Sequence, residues 1–358
     1  MKRDPADMLL FRPLTVHNLK LKNRLVMAPC GTNTASDEGF PTEAQVEYYR
    51  QRAEGGVGLV ILEATTVNHH RRRRESNCLG IYEDRFIRPM RTLAKKVQDE
   101  GARVGVQLVD SLVRIGKKPA DFSKEEVHGI IEDFVQGAVR AQQAGFDLVE
   151  LHMAHLYTLA DFLSRQTNRR TDEFGQGMAG RLRIAEEILG RARQQLGSDF
   201  TLGCRINGDE FVLGGNTLAD SQVIAQRLVE LGADVISVSA GGRMEADGSR
   251  GYSFSRCIPP SQMPDATNAY LAGEIRRVAG VPIMTAGKIG DPGVAEAVLQ
   301  EGKADLIALG RPLLADPAFA RKAQEGHWEE IRLCRFDNQC MAGILDGKPW
   351  TCVVYQDQ

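Results

Sequence analysis

Short runs of Val, Leu and Ile recur along the chain, and each is followed by a longer stretch in which apolar residues return every three or four positions. The first pattern is that of a strand buried on both faces; the second is that of a helix with one apolar stripe. The apolar runs begin near Arg24, Gly58, Arg103, Asp147, Thr201, Asp234, Pro282 and Asp305. The periodic stretches predict helices over residues 42–54, 83–100, 124–144, 178–196, 218–231, 266–278, 293–301 and 317–325. Gly101, Gly145, Gly232 and Gly302 each stand between a helix and the next strand, where a left-handed residue closes the helix. Eight strand–helix units predict an α/β fold, a (β/α)8 TIM barrel with a short C-terminal Cys-rich extension. The alternative, a doubly wound open sheet, is disfavoured because no Gly-x-Gly-x-x-Gly follows the first strand. The expected division is a barrel over residues 1–329 and a tail over 330–358, with neither a low-complexity linker nor a second apolar core between.

Composition narrows the function. The 358 residues are 42% apolar and 26% charged, ordinary for a globular protein, and the net charge of −2 makes no case for nucleic acid. The basic run over residues 69–74 is short and breaks at Glu75, so it reads as a solvated or substrate-facing loop. No apolar stretch approaches the ~20 residues that span a bilayer, and the N-terminus has no apolar signal core. The expectation is therefore a cytoplasmic protein with no membrane partner. Seven cysteines, an odd count, suit a reducing compartment; three of them lie in the last 25 residues.

Barrel enzymes build their sites at the C-terminal ends of the strands, so those ends are where chemistry is sought. The fourth strand ends in His152, His155 and Tyr157, a cluster able to hold a carbonyl oxygen and deliver a proton. A lone His at such a place is usually structural; two at a spacing of three beside a Tyr are not the usual structural pattern. Residues three apart on a strand face opposite ways, so the imidazoles converge only if the chain turns as the strand ends. Strands seven and eight end in Ala286-Gly287 and Gly310-Arg311. Barrels frequently hold a phosphate there through backbone N–H groups, and an Arg adds a bidentate cation. The pairing points to a phosphorylated cofactor.

From about Leu10 to Cys352 the chain resembles the old yellow enzyme family of FMN oxidoreductases. The resemblance rests on the Asn-Arg-Leu-Val-Met-Ala-Pro run ending at Pro29, on Glu63-Ala64, Val106-Gln107-Leu108, Arg205 and Gly310-Arg311-Pro312, and above all on the Leu-Ser-Arg-Gln-Thr-Asn-Arg-Arg-Thr-Asp-Glu-Phe-Gly run ending at Gly175. It implies that Pro29, Cys30, Gly31 and Ala64 contact the flavin ring and that Gln107 bonds its pyrimidine edge. Arg205 would sit by N1–C2, where a fixed cation favours the anionic reduced flavin. His152 and His155 would bind a substrate carbonyl, hydride would come from flavin N5, and Tyr157 would give a proton to the α-carbon; a phenol keeps its proton at neutral pH. Two departures touch the substrate pocket. Val109-Asp110-Ser111 replaces the usual His-containing segment, and residues 247–257 read as an insertion carrying Tyr252 and Phe254.

Near the C-terminus, Cys334, Asp337, Cys340 and Cys352 form a Cys-x2-Asp-x2-Cys-x11-Cys frame. It is similar to the iron–sulfur segment of the trimethylamine dehydrogenase and 2,4-dienoyl-CoA reductase branch, with Asp337 in place of the second Cys. A [4Fe–4S] cluster, a zinc site and a metal-free tail are the three readings; the retained frame favours the cluster. The resemblance implies an ene-reductase-type enzyme that uses FMN on an enone, enoate or enoyl thioester. NAD(P)H or a separate carrier protein would donate the electrons, and a homo-oligomer is expected. Oxidative N-demethylation of a small methylamine or betaine, and a non-catalytic flavin electron-transfer protein, are the alternatives.

Overall fold

The computed structural model describes residues 4–69, 77–110, 116–155, 157–243, 251–345 and 347–356. Most of the basic run, Ser111 and residues 247–250 of the 247–257 insertion lie outside the described residues. An antiparallel hairpin opens the fold: β1 (Leu14–Val16) pairs with β2 (Leu19–Leu21). Eight parallel strands follow: β3 (Leu25–Met27), β4 (Leu59–Thr66), β5 (Arg103–Val109), β6 (Leu148–Met153), β7 (Thr201–Asn207), β8 (Val235–Ser239), β9 (Ile283–Thr285) and β10 (Leu306–Leu309). They close in sequence order, with β10 pairing back onto β3. Each begins within a few residues of an apolar run in the sequence. The fold is the expected (β/α)8 barrel.

Helices α1 (Glu43–Glu54), α2 (Ile87–Asp99), α3 (Lys124–Gln143), α4 (Thr158–Leu163), α5 (Gly177–Leu196), α6 (Leu218–Glu230), α7 (Tyr252–Cys257), α8 (Ala269–Ala279), α9 (Pro292–Gln300), α10 (Arg311–Ala315) and α11 (Phe319–Gln324) follow the strands. The logic of α3 is typical. Ser123 Oγ accepts from the Glu126 N–H at 3.2 Å while the Glu126 carboxylate accepts from the Ser123 N–H at 2.8 Å, which satisfies two orphan donors of the first turn. Val127, Ile130, Ile131, Phe134, Val135, Ala138 and Ala141 form its buried stripe. The five-to-six-residue helices α4, α7 and α10 were not legible as periodic stretches, being too short to show a period.

The aspartates that open β6, β8 and β10 have a common task. Asp147, Asp234 and Asp305 each accept the first free N–H of the preceding strand, from Val104 at 2.9 Å, Leu202 at 2.8 Å and Ile283 at 2.9 Å. Arg103, Arg193 and Arg276 pair with the same carboxylates. The recurring Asp after a helix-closing Gly is thus a clamp on the bottom of the barrel.

Val16, Leu19 and Leu21 of the hairpin plug that bottom. They pack on the inward residues Val26, Leu59, Leu148, Val235, Met284 and Leu306, an apolar cluster distinct from the larger one between strands and helices. Above the plug the inward positions turn polar. Gln107 pairs in register with Glu150, His152 with Arg205, and Arg205 with Ser237. A β-bulge between Leu62 and Ala64 shifts β4 so that Ala64 comes level with Gln107.

A candidate flavin site at the barrel mouth

The cluster predicted at the end of β6 is assembled in space. His155 has φ +63°, a left-handed residue immediately after the strand, and this turn brings its ring back toward His152. His155 Nδ1 lies 3.3 Å from His152 Nε2, and the rings stand edge-on with centroids 5.0 Å apart. The Tyr157 ring lies against His152, centroid to centroid 4.5 Å. Two nitrogens this close can both reach one oxygen atom. His155 Nε2 lies 2.8 Å from Ser239 Oγ, which also accepts from Arg205 Nη2 at 3.4 Å. Ser239 therefore ties the imidazole pair to Arg205.

Arg205 is 7% exposed, and its Nε and Nη1 are buried with no hydrogen-bond partner among the described residues. A guanidinium left like this is costly, so the site is built for an acceptor that binds there. A cavity of about 600 Å³, counting its open mouth, runs from Arg205 across the ends of β3, β9 and β10. Pro29, Cys30, Ala286, Gly287, Gly310 and Arg311, all named in the sequence as candidate cofactor-binding residues, line it. Gly31, Ala64, Gln107 and the His/Tyr cluster do not line this cavity; they sit at the mouth on the β3–β6 side.

The glycines are required. Gly287 has φ +128°, and a Cβ there would come within 2.7 Å of Asn268 Nδ2; a Cβ on Gly310 would come within 2.7 Å of Cys30 Sγ. Burial pushes the Cys30 thiol up to about 12, against the pull of Arg205 and Arg311, so it is a neutral wall. Arg311 donates to the Pro259 carbonyl at 2.9 Å and to Asn338, and its guanidinium lies 4.7 Å from the Phe336 ring centroid.

The run that carried the resemblance is largely scaffold. Arg170 grips Asp172 and donates to the Pro119 and Phe122 carbonyls, while Asn168 donates to those of Phe162 and Phe174. Further scaffold comes from Arg243, which was not singled out in the sequence, and from Glu63, which was noted there only for the resemblance. Arg243, beyond β8, is buried between Asp161 of α4 and Glu210. Glu63 is fully buried, accepting from Thr32 N at 2.6 Å, Leu79 N at 3.3 Å and Tyr49 at 3.3 Å; burial pushes its carboxyl up.

The Cys-rich tail folds back onto the mouth. Trp350 N donates to the Thr32 carbonyl at 2.8 Å, and Asn33 Nδ2 to that of Lys348 at 3.1 Å. Phe336, Met341 and Trp350 line the main cavity, which sequence reasoning missed because it treated the tail as an appendage. Cys334, Asp337, Cys340 and Cys352 line a second, smaller cavity, with Arg311 in the wall of both. Helices α12 (Gln339–Leu345) and α13 (Val353–Gln356) carry Cys340 and follow Cys352. Burial pushes the Cys340 thiol up to about 11 and that of Cys334 up. Among the described residues no group of three or more His, Cys, Asp or Glu is placed to hold a metal ion. Nor do the described residues include a helix long and apolar enough to cross a membrane.

The family model for NADH:flavin oxidoreductases and NADH oxidases matches residues 9–118 and 111–330. The chain belongs to that family. It is 36% identical over 360 residues to an NADH oxidase of Thermoanaerobacter brockii, covering 95% of this chain and 54% of that protein. To the NADPH dehydrogenase of Bacillus subtilis it is 34% identical over 332 residues, covering 88% and 94%. Among solved structures, 2-naphthoyl-CoA reductase superposes with a TM-score of 0.88 at 26% identity, covering 97% of this chain and 56% of that one. The chain thus spans about half the length of the NADH oxidase and of the naphthoyl-CoA reductase. The orphaned Arg205, the glycine cradle and the cationic end at Arg311 fit the FMN of this NADH:flavin oxidoreductase family.

Proposed function

We propose that this chain holds FMN across the barrel mouth and reduces an activated C=C bond in an enone, enoate or enoyl thioester. One observation carries the reading: the His152–His155 pair, with Tyr157 packed on it, is joined through Ser239 to Arg205, whose Nε and Nη1 have no hydrogen-bond partner among the described residues. Gly287, Gly310 and Arg311 would hold the phosphate, and Cys30, Ala64, Gln107 and Arg205 the ring. FMN bound there supplies a hydride from N5. The imidazole N–H groups bind the substrate's carbonyl oxygen and draw electron density from the β-carbon. As that carbon takes hydride, charge gathers on the oxygen, and the same donors stabilise the enolate. Tyr157 then gives its proton to the α-carbon, and solvent restores it. NAD(P)H, or a carrier protein, replaces the two electrons. The likeness to 2-naphthoyl-CoA reductase supports the thioester arm.

The test is anaerobic. Purified protein should be yellow, and after reduction it should reoxidise on adding 2-cyclohexenone. A reduced protein inert to every enone, whose oxidised form is instead reduced by a methylated amine, would replace this reading by oxidative N-demethylation.

We read residues 330–358 as an iron–sulfur segment appended to the 1–329 barrel, because three thiols and Asp337 line one cavity beside Arg311. Anaerobically purified protein should contain about four irons per chain with matching sulfide. Less than one iron, with no absorbance beyond the flavin bands, leaves the tail as cavity wall alone.

A further inference from the structure

The polar layer inside the barrel contains a carboxylate that the mechanism above does not use. Glu150, at the middle of β6, is 2% exposed. It accepts from Gln107 Nε2 at 2.7 Å. The cation acting on it is Arg205, one pleat higher on the neighbouring strand, since β6 and β7 pair Glu150 with Gly203 and His152 with Arg205. Two residues earlier on the same strand, Leu148 belongs to the apolar cluster that the hairpin plugs. Burial pushes its carboxyl up while Arg205 pulls it down. A carboxylate sealed in a barrel is expensive even with Gln107 and Ser237 beside it, and Leu or Met would fill the volume without that cost.

We propose that Glu150 is a positioning residue for the flavin's pyrimidine edge: it turns the Gln107 amide and supplies the counter-charge to Arg205. The inference rests on the FMN reading above. A carboxylate only accepts, so Gln107 must spend its nitrogen on Glu150, and its carbonyl oxygen is left to face the mouth. A flavin's pyrimidine edge presents one N–H between two carbonyls. An acceptor from Gln107 beside donors from Arg205 Nε and Nη1 is the complement of that edge. With the amide turned over, donor would meet donor. The negative charge of Glu150 also offsets the cation that favours the reduced anionic flavin, and so holds the potential down.

The experiment reconstitutes apoprotein with FMN, follows binding by quenching of FMN fluorescence, and then measures the midpoint potential. Failure of the wild-type apoprotein to take up FMN overturns the FMN reading and this inference with it. Given uptake, Glu150→Leu should weaken FMN binding at least tenfold, and should cost nothing further when Gln107→Leu is already present. Glu150→Gln keeps both shape and acceptor, so it should retain FMN. It should also favour reduced over oxidised flavin about tenfold, an upward shift of about 30 mV. Wild-type uptake with independent, multiplicative losses in the Leu variants, or an unmoved potential in Glu150→Gln, overturns the inference while leaving the FMN reading intact.

Discussion

Tyr157→Phe is expected to slow reoxidation of the reduced protein by an enone about 10²–10⁴-fold, the range for loss of a positioned general acid. Reduction of the flavin by NAD(P)H should be unchanged, because that half-reaction needs no proton from the phenol. Geometry motivates the split. The Tyr157 ring packs on His152, and α4 begins at the next residue, where Thr158 Oγ1 donates to the Asp110 carboxylate at 2.9 Å. The phenol is therefore carried on a rigid element beside the imidazole pair, and removing its hydroxyl leaves the aromatic packing in place. Anaerobic stopped-flow measurement of the two half-reactions reads the result directly. Equal losses in both, or none in either, would take Tyr157 out of the proton step.

The second large effect concerns a backbone. Gly242, in the loop after β8, has φ +99°, and a Cβ there would come within 2.8 Å of both Cα and Cβ of His155. Gly242→Ala should therefore displace His155, itself a left-handed residue, from His152 and Ser239. Displacing a group by ~1 Å commonly costs about 10²-fold in rate, so enone reoxidation should fall by about that factor while FMN stays bound. Gly280→Ala is the control: φ is +76°, but nothing lies within 4 Å of the added methyl. It should lose about 1–2 kcal/mol of stability from backbone strain alone, with the rate intact. Denaturant titration and the same half-reaction assay separate the two. Similar rate losses in both variants would mean that strain, not displacement of His155, is responsible.

Much of this molecule is readable along the chain. The eight strands show as apolar runs because each is covered on both faces, and the helices as periodic stripes because each is covered on one. The helix-closing glycines and the aspartates after them are equally visible, since left-handed backbone and an orphan strand N–H each demand a particular residue type. His152, His155, Tyr157, Arg205, Gly287 and Arg311 stand at strand ends that are visible in the sequence. Strict alternation along β6 from His152 also points Glu150 inward.

What remained hidden depends on contacts between distant segments. The hairpin strands have three residues each, too few for a period, and exist because the barrel bottom needs a plug. The imidazoles converge through one left-handed residue, His155, whose conformation is held by Asn207, Ser239 and Gly242 from two other strand ends. Closure of the tail over the cavity, with Arg311 shared between two recesses, is likewise a product of the folded shape. Local periodicity and turn chemistry determine the elements and their order, because those preferences act over a few residues. The side chains that face one another across the mouth are decided only when the barrel closes and its strand ends are brought within hydrogen-bond reach.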